Sequence, residues 1–218
     1  MIELTSWLEA YLYRLNDTFT NRVLFVGLQG SYSRGEATES SDIDMVVILD
    51  EVNSTDVIAY HAMLDTLPHR DLLCGFFAGK AEIDHWESSD LFQLYFDTVP
   101  IQGCMDDLLE RLDADAVNRA IKLGACNIYH GCVHNMLYDK SEKILKNLFK
   151  CATFVIQAIC YQQSGNFIRY QTDLLKEVSE EEQQIISIFL SLKTGEDVYF
   201  LEQSELIFNW AKKRIKAE

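Results

Sequence analysis

Val23-Leu24-Phe25-Val26-Gly27-Leu28-Gln29-Gly30-Ser31-Tyr32-Ser33-Arg34-Gly35-Glu36-Ala37-Thr38-Glu39-Ser40-Ser41-Asp42-Ile43-Asp44-Met45-Val46-Val47-Ile48-Leu49 is the stretch around which the rest of the chain is arranged. Two apolar runs of strand length enclose a Gly-Ser pair, a polar loop and an Asp-x-Asp. Gly30 has no Cβ to hold the backbone away from a bound group, and Ser31 offers a hydroxyl and an N–H where a short helix should begin. Such a corner attracts phosphate. In Asp42-Ile43-Asp44 the alternation of a strand sends both carboxylates to one face and Ile43 to the other. Neighbouring carboxylates repel unless a cation joins them, and hard oxygen ligands suit Mg²⁺ or Mn²⁺. Two such ions roughly 3.5–4 Å apart can activate an attacking hydroxyl and steady a leaving pyrophosphate. Gly-Ser alone is a common turn and Asp-x-Asp alone a solvated strand entry; their order and spacing between two strands carry the signal.

Gly30-Ser31, ten intervening residues and Asp42-x-Asp44 resemble the signature of the polymerase-β-like nucleotidyltransferase superfamily. The resemblance is strongest over Val23 to Leu49 and extends by pattern over the first hundred or so residues. It implies an α/β (α+β) palm with a mixed sheet, two metal ions, an NTP donor with ATP the expected one, and transfer of a nucleoside monophosphate to an acceptor. By matching positions, Gly30 and Ser31 hold the triphosphate, with Ser33 and Arg34 further candidates on the same turn, and Asp42 and Asp44 hold the metals. The family also supplies a third carboxylate from a nearby strand. The apolar run Asp71 to Ala78 has Cys74 and Gly75 at its centre, where that acid is expected. Asp84 is the first choice for the role, with Glu82 and Asp71 as alternatives; Glu82 and Asp84 alternate correctly only if 81–86 forms a second strand.

The chain has 218 residues, enough for one large domain or two modest ones, and its formal charge is −15. That charge is uneven: residues 1–100 carry 17 acids against 5 bases, and 101–218 carry 17 against 14. An acidic surface around the site repels a nucleic-acid backbone and favours metals or a cationic small acceptor. The expected partners are therefore a nucleotide and a small molecule, not nucleic acid. The six cysteines lack any Cys-x-x-Cys pair and most sit in apolar surroundings, which fits reduced, buried thiols. No charged, apolar leader opens the chain and no uninterrupted apolar run reaches about 18 residues, so a cytoplasmic protein off the membrane is expected. The assembly state stays open, a dimer included.

Along the chain, periodicity predicts a helix over residues 2–15 ended by Asn16-Asp17, a strand from Val23 to Leu28, a short helix that Gly35 breaks, and a strand from Ile43 to Leu49. A helix over Ser54 to Leu67 stopped by Pro68, a cap at Ser89-Asp90, and an edge strand at Val99-Pro100-Ile101 follow. Domain one is expected to span 1–104. From Asp106 helix formers dominate: Asp113 caps Ala114 to about Tyr138, Ser141 caps a helix to Gln163, Ile168 to Val178 forms another, Ser179 to Glu182 is a capping box, and Glu202 to Ala217 is the last. This predicts a helical bundle over 105–218, binding the acceptor or a partner.

Cys126, His130, His134 and Tyr138 recur every four residues on one helix face, which reads as packing or cleft lining rather than zinc. Lys140, Lys143, Lys146 and Lys150 read as a solvated face. Gly165 to Tyr170 loosely resembles the helical bundle of aminoglycoside-type and minimal nucleotidyltransferases. Two functions follow. One is metal-dependent transfer of a nucleoside monophosphate, AMP expected, to a hydroxyl of a small molecule; the other is a nucleotidyltransferase-like binding or regulatory protein, or a protein-modifying antitoxin-type protein.

Overall fold

The computed structural model describes residues 2–39 and 41–217. They fall into two compact units, one built from residues up to 87 and from 94–110, the other from 88–93 and from 111 onward.

The first unit begins with helix α1, Leu4–Phe19, whose N-terminus is capped by the Glu3 carboxylate accepting from Ser6 N at 2.8 Å. Trp7, Tyr11, Leu15 and Phe19 recur every four residues and are all buried, so one face packs on the sheet. The helix runs past the expected stop at Asn16-Asp17 because Phe19 belongs to that buried face; Thr20, at φ 51°, ends it. Strand β1 is Val23–Gln29, helix α2 Gly30–Ser33 and strand β2 Ile43–Leu49. Helix α3, Ser54–Leu64, opens with a capping box between Asn53 and Asp56. It is shorter than expected, since Thr66 and Leu67 turn back onto Met63 and Leu64.

Strand β3, Leu73–Gly79, leads into helix α4, Lys80–His85. The conditional second strand at 81–86 is thus corrected to a helix, whose buried contact is Ile83. Helix α5, Ser88–Asp97, precedes strand β4, Val99–Gln102. The sheet order is β3-β2-β1-β4, with β1 antiparallel to both β2 and β4, and β2 parallel to β3. Pro100 sits on the outer strand β4, where a missing N–H costs no ladder bond. Every residue of β2 from Met45 to Leu49 is buried, so β2 is the spine of this unit.

The second unit takes the first half of α5 together with α6 (Ala114–His134), α7 (Glu142–Ser164), α8 (Gln171–Leu174), α9 (Glu180–Lys193) and α10 (Phe200–Lys216). Asp113 caps α6 through Ala116 N, Ser141 caps α7 through Ile144 N, and Ser179 with Glu182 forms the capping box of α9. Helix α7 has the length and apolar content to cross a membrane. Its apolar face is taken up in packing: Leu145, Phe149, Ala152 and Ile156 are fully buried in this unit's core.

The helix expected over Ile168 to Val178 shrinks to the four residues of α8. The reason is Gln157, buried on α7, whose amide donates to the carbonyls of Ile168 and Arg169 at 2.9 and 3.2 Å and holds them in open chain. The expectation of buried thiols holds for Cys132 and Cys160, while Cys74 and Cys104 are exposed; all six are free. Burial pushes the Cys132 thiol up to about 11.

Candidate functional site

Asp42 lies one residue ahead of β2 and Asp44 is its second residue, with fully buried Ile43 between them. Ile43 fixes the register: its burial forces the two flanking aspartates toward the opposite face, Asp42 exposed and Asp44 half-buried. In the β1–β2 ladder Asp44 is paired with Gln29, the residue before Gly30. The Gly-Ser turn therefore folds back over the Asp-x-Asp.

The contact is close. Gly30 adopts φ 68°, and a Cβ added there would stand 2.3 Å from Asp44 Oδ2. Only a residue without a side chain lets the carboxylate lie against the turn. Beyond Gly30 the turn is closed by its own backbone: Gly35 N donates to Tyr32 O at 3.2 Å and Glu36 N to Ser31 O at 2.9 Å. The Ser33 hydroxyl donates to Gly30 O at 2.9 Å, so Ser33 braces the turn from within. Ser31 is half-buried on the same turn.

Arg34 is not the exposed loop arginine its position suggests. Its side chain is 7% exposed, and its guanidinium is paired with Asp97 at 2.7 Å and Glu36 at 3.3 Å. Asp97, equally buried, also accepts a long hydrogen bond from Gly30 N at 3.4 Å. Beside it, the Gln29 amide donates to Thr98 Oγ1 at 2.8 Å and to Leu94 O at 3.1 Å. None of Gln29, Asp97 or Thr98 stood out in the sequence. The one signal was a polar Asp-Thr between an amphipathic helix and an edge strand, and it gains meaning only once β4 is known to pair with β1.

Strand β3 carries no carboxylate. Parallel pairing sets Ile43 beside Leu73 and Leu49 beside Gly79, so β3 ends about 16 Å along the sheet from Asp44. Asp84, first choice for the role, lies beyond that end on α4, paired with Lys80, which also holds Asp107 at 2.9 Å. Glu82 packs by Gly79 at the same end. Their helix, in place of the second strand, carries both away from Asp42 and Asp44. Of the three candidates only Asp71, exposed in the turn before β3, is at the aspartate end of the sheet. Directly beside Asp44 on β3, and on its face of the sheet, stands Cys74. Among the described residues no His, Cys, Asp or Glu completes a cluster of three.

In the other unit, His134 Nδ1 and the Asp139 carboxylate are 2.9 Å apart, and the His134 ring lies 4.9 Å from that of Tyr138 and 6.4 Å from that of His130. Lys143 and Lys150 are exposed on α7 and Lys146 is half-buried.

A palm-like mixed sheet with a glycine turn seated on an Asp-x-Asp strand defines the class. The model of the nucleotidyltransferase domain family matches residues 12–122, which include all four strands and the whole of that turn. The chain belongs to this family, and with it to the polymerase-β-like superfamily, whose reaction moves a nucleoside monophosphate. Among solved structures it is similar to the spectinomycin adenyltransferase AAD(9) from Enterococcus faecialis, crystallised with ATP and spectinomycin. That match has a TM-score of 0.62 and 15% identity, and covers 97% of this chain and 99% of the other. No curated protein matches the chain.

Proposed function

We propose that this nucleotidyltransferase moves AMP from ATP, as its Mg²⁺ or Mn²⁺ complex, to a hydroxyl of a small, amine-bearing acceptor. The observation that carries the reading is the seat of Asp44 against Gly30: it sets a carboxylate and the glycine turn side by side. The donor set fits Mg²⁺ or Mn²⁺. Two solvent-reached carboxylates on one face match the way Mg²⁺ is usually held, by one or two acids with water and substrate phosphate oxygens completing its shell. When bound, the metal would neutralise charge building on the phosphates.

The chain's own residues do the positioning. Asp42 and Asp44 hold the cation at the start of β2, and the rigid β2 spine keeps them from spreading. Ser31 and the open side of the Gly30 turn receive the phosphate tail, while Ser33 keeps that turn in shape. Alignment of donor and acceptor supplies most of what phosphoryl-type transfer needs from a protein. The acidic half of the chain supports a cationic acceptor, and the similar fold of an adenyltransferase crystallised with ATP and spectinomycin supports a small one.

The test is pyrophosphate release from ATP with Mg²⁺, using spectinomycin and other hydroxyl- and amine-bearing small molecules as acceptors. Asp42→Asn and Asp44→Asn should each abolish it. Undiminished turnover in either variant refutes the assignment. Cys74 in place of a carboxylate beside Asp44 supports the second reading, a nucleotide-binding regulator with little transfer. Calorimetry read beside the release assay separates the two, since both bind ATP with metal but the regulator releases little or no pyrophosphate with any acceptor.

A further inference from the structure

Where the end of α5 meets β1, three fitted contacts accumulate in five residues. The Thr98 methyl fills the hollow left by the absent Cβ of Gly27, where an added Cβ would meet Thr98 Cγ2. Gln29 reaches across to Leu94 O and Thr98 Oγ1. Asp97 then spends its two oxygens on different parts of the glycine turn: Oδ2 accepts from Gly30 N at 3.4 Å, and Oδ1 from Arg34 Nη1 at 2.7 Å. Arg34 in turn reaches Glu36 on the far side of the loop. A buried carboxylate thus ties the first residue of the turn to the residue that ends it.

From this we propose that Asp97 is a positioning residue for the nucleotide site: it holds Gly30 in the left-handed conformation that seats Asp44. The inference rests on the nucleotide-binding reading above. Asp97 touches neither phosphate nor metal in this scheme; it acts through Gly30 and Arg34.

The sign of the effect separates this role from mere charge. Removing a carboxylate beside a triphosphate site and leaving Arg34 with Glu36 as its one carboxylate partner adds positive potential, which by electrostatics alone tightens binding of a polyanion. Loss of the turn's shape weakens it. Supporting groups of this kind typically change metal affinity or activity by about 10–100-fold.

The experiment titrates ATP with Mn²⁺ into the full chain, its Asp97→Asn variant and its Asp97→Ala variant by calorimetry, after thermal melts confirm that each is folded. Asp97→Asn is close in shape and keeps one oxygen able to accept from Gly30 N; Asp97→Ala keeps none. Positioning predicts weaker binding in both, with the alanine variant the weaker, by at least about tenfold. Should the alanine variant fail to fold, the asparagine variant alone decides by the direction of its change. Unchanged or tighter binding in a folded variant overturns the proposal. Absence of binding to the unaltered protein would instead bring down the nucleotide-site reading, and this inference with it.

Discussion

Gly30→Ala is the substitution on which the site geometry makes its sharpest demand. The new Cβ would fall 2.3 Å from Asp44 Oδ2, and ordinary contact begins at 3.4 Å, so the carboxylate must retreat by about 1.1 Å. Metal–oxygen distances near 2.1 Å tolerate little of that, because Mg²⁺ requires near-ideal geometry. A misplacement of about 1 Å can cost about a hundredfold in turnover. The same substitution also strains the backbone: alanine at φ 68° carries about 1–2 kcal/mol of left-handed penalty, or roughly 2–8 °C in Tm for a chain of this size. Gly35 provides the control. It shares φ 68°, yet an added Cβ there meets nothing within 4 Å. Gly35→Ala should therefore lower Tm by a similar amount while leaving Mn²⁺-dependent ATP binding and pyrophosphate release near normal. Gly30→Ala should lower Tm and also lose binding by at least about tenfold. If the two variants match in both binding and turnover, the seat of Asp44 against Gly30 is not what organises the site.

Asp84→Ala should leave pyrophosphate release unchanged and cost only the weak exposed pair with Lys80; a large loss of turnover would return Asp84 to the site. At the end of β2 away from Asp44, Arg22 donates to Asp56 and holds its carboxyl below the ordinary carboxylate range, with the Asn53 amide adding to the effect. A carboxyl depressed in the folded state contributes stability above its ordinary value and loses it as pH falls through the depressed one. Urea midpoints should consequently drop more steeply below about pH 4 for the unaltered chain than for Asp56→Asn, and parallel acid limbs would contradict that pairing. Cys74→Asp places a carboxylate beside Asp44 on the same face, and Mn²⁺ affinity should rise; an unchanged affinity in calorimetry would mean that β3 does not face the proposed metal site.

Most of the sheet unit was legible because its signals are local. The alternation in Asp42-Ile43-Asp44 depends only on the burial of Ile43, and Pro100 on an apolar run reads as an edge strand by its missing donor alone. The caps at Asp113, Ser141 and Ser179 are equally local, each within three residues of the amide it satisfies. What misled was periodicity without tertiary context. Ala81 to Trp86 is too short for alternation to separate strand from helix, and packing of Ile83 decided for a helix. The segment after Gly165 has helical spacing, but Gln157, buried on α7 and 11 residues before Ile168, takes the carbonyls of Ile168 and Arg169 first.

The site itself divides along the same line. Gly30, Ser31, Asp42 and Asp44 are close in sequence, and a single hairpin brings them together, so their chemistry could be read from spacing. Asp97 lies 67 residues from Gly30 and reaches it only because β4 returns to pair with β1 and sets Val99 beside Leu28. No local pattern announces such a contact; it follows from strand order. The vacancy of acid on β3 is the converse case. Cys74 and Gly75 could be seen to lack a carboxylate, but only the parallel register shows that Cys74 is the residue beside Asp44. With no carboxylate on β3 beside Asp44, the exposed Asp42 and Asp71 are two solvent-reached carboxylates at that end of the sheet, and substituting each in turn tests which takes the acceptor's proton.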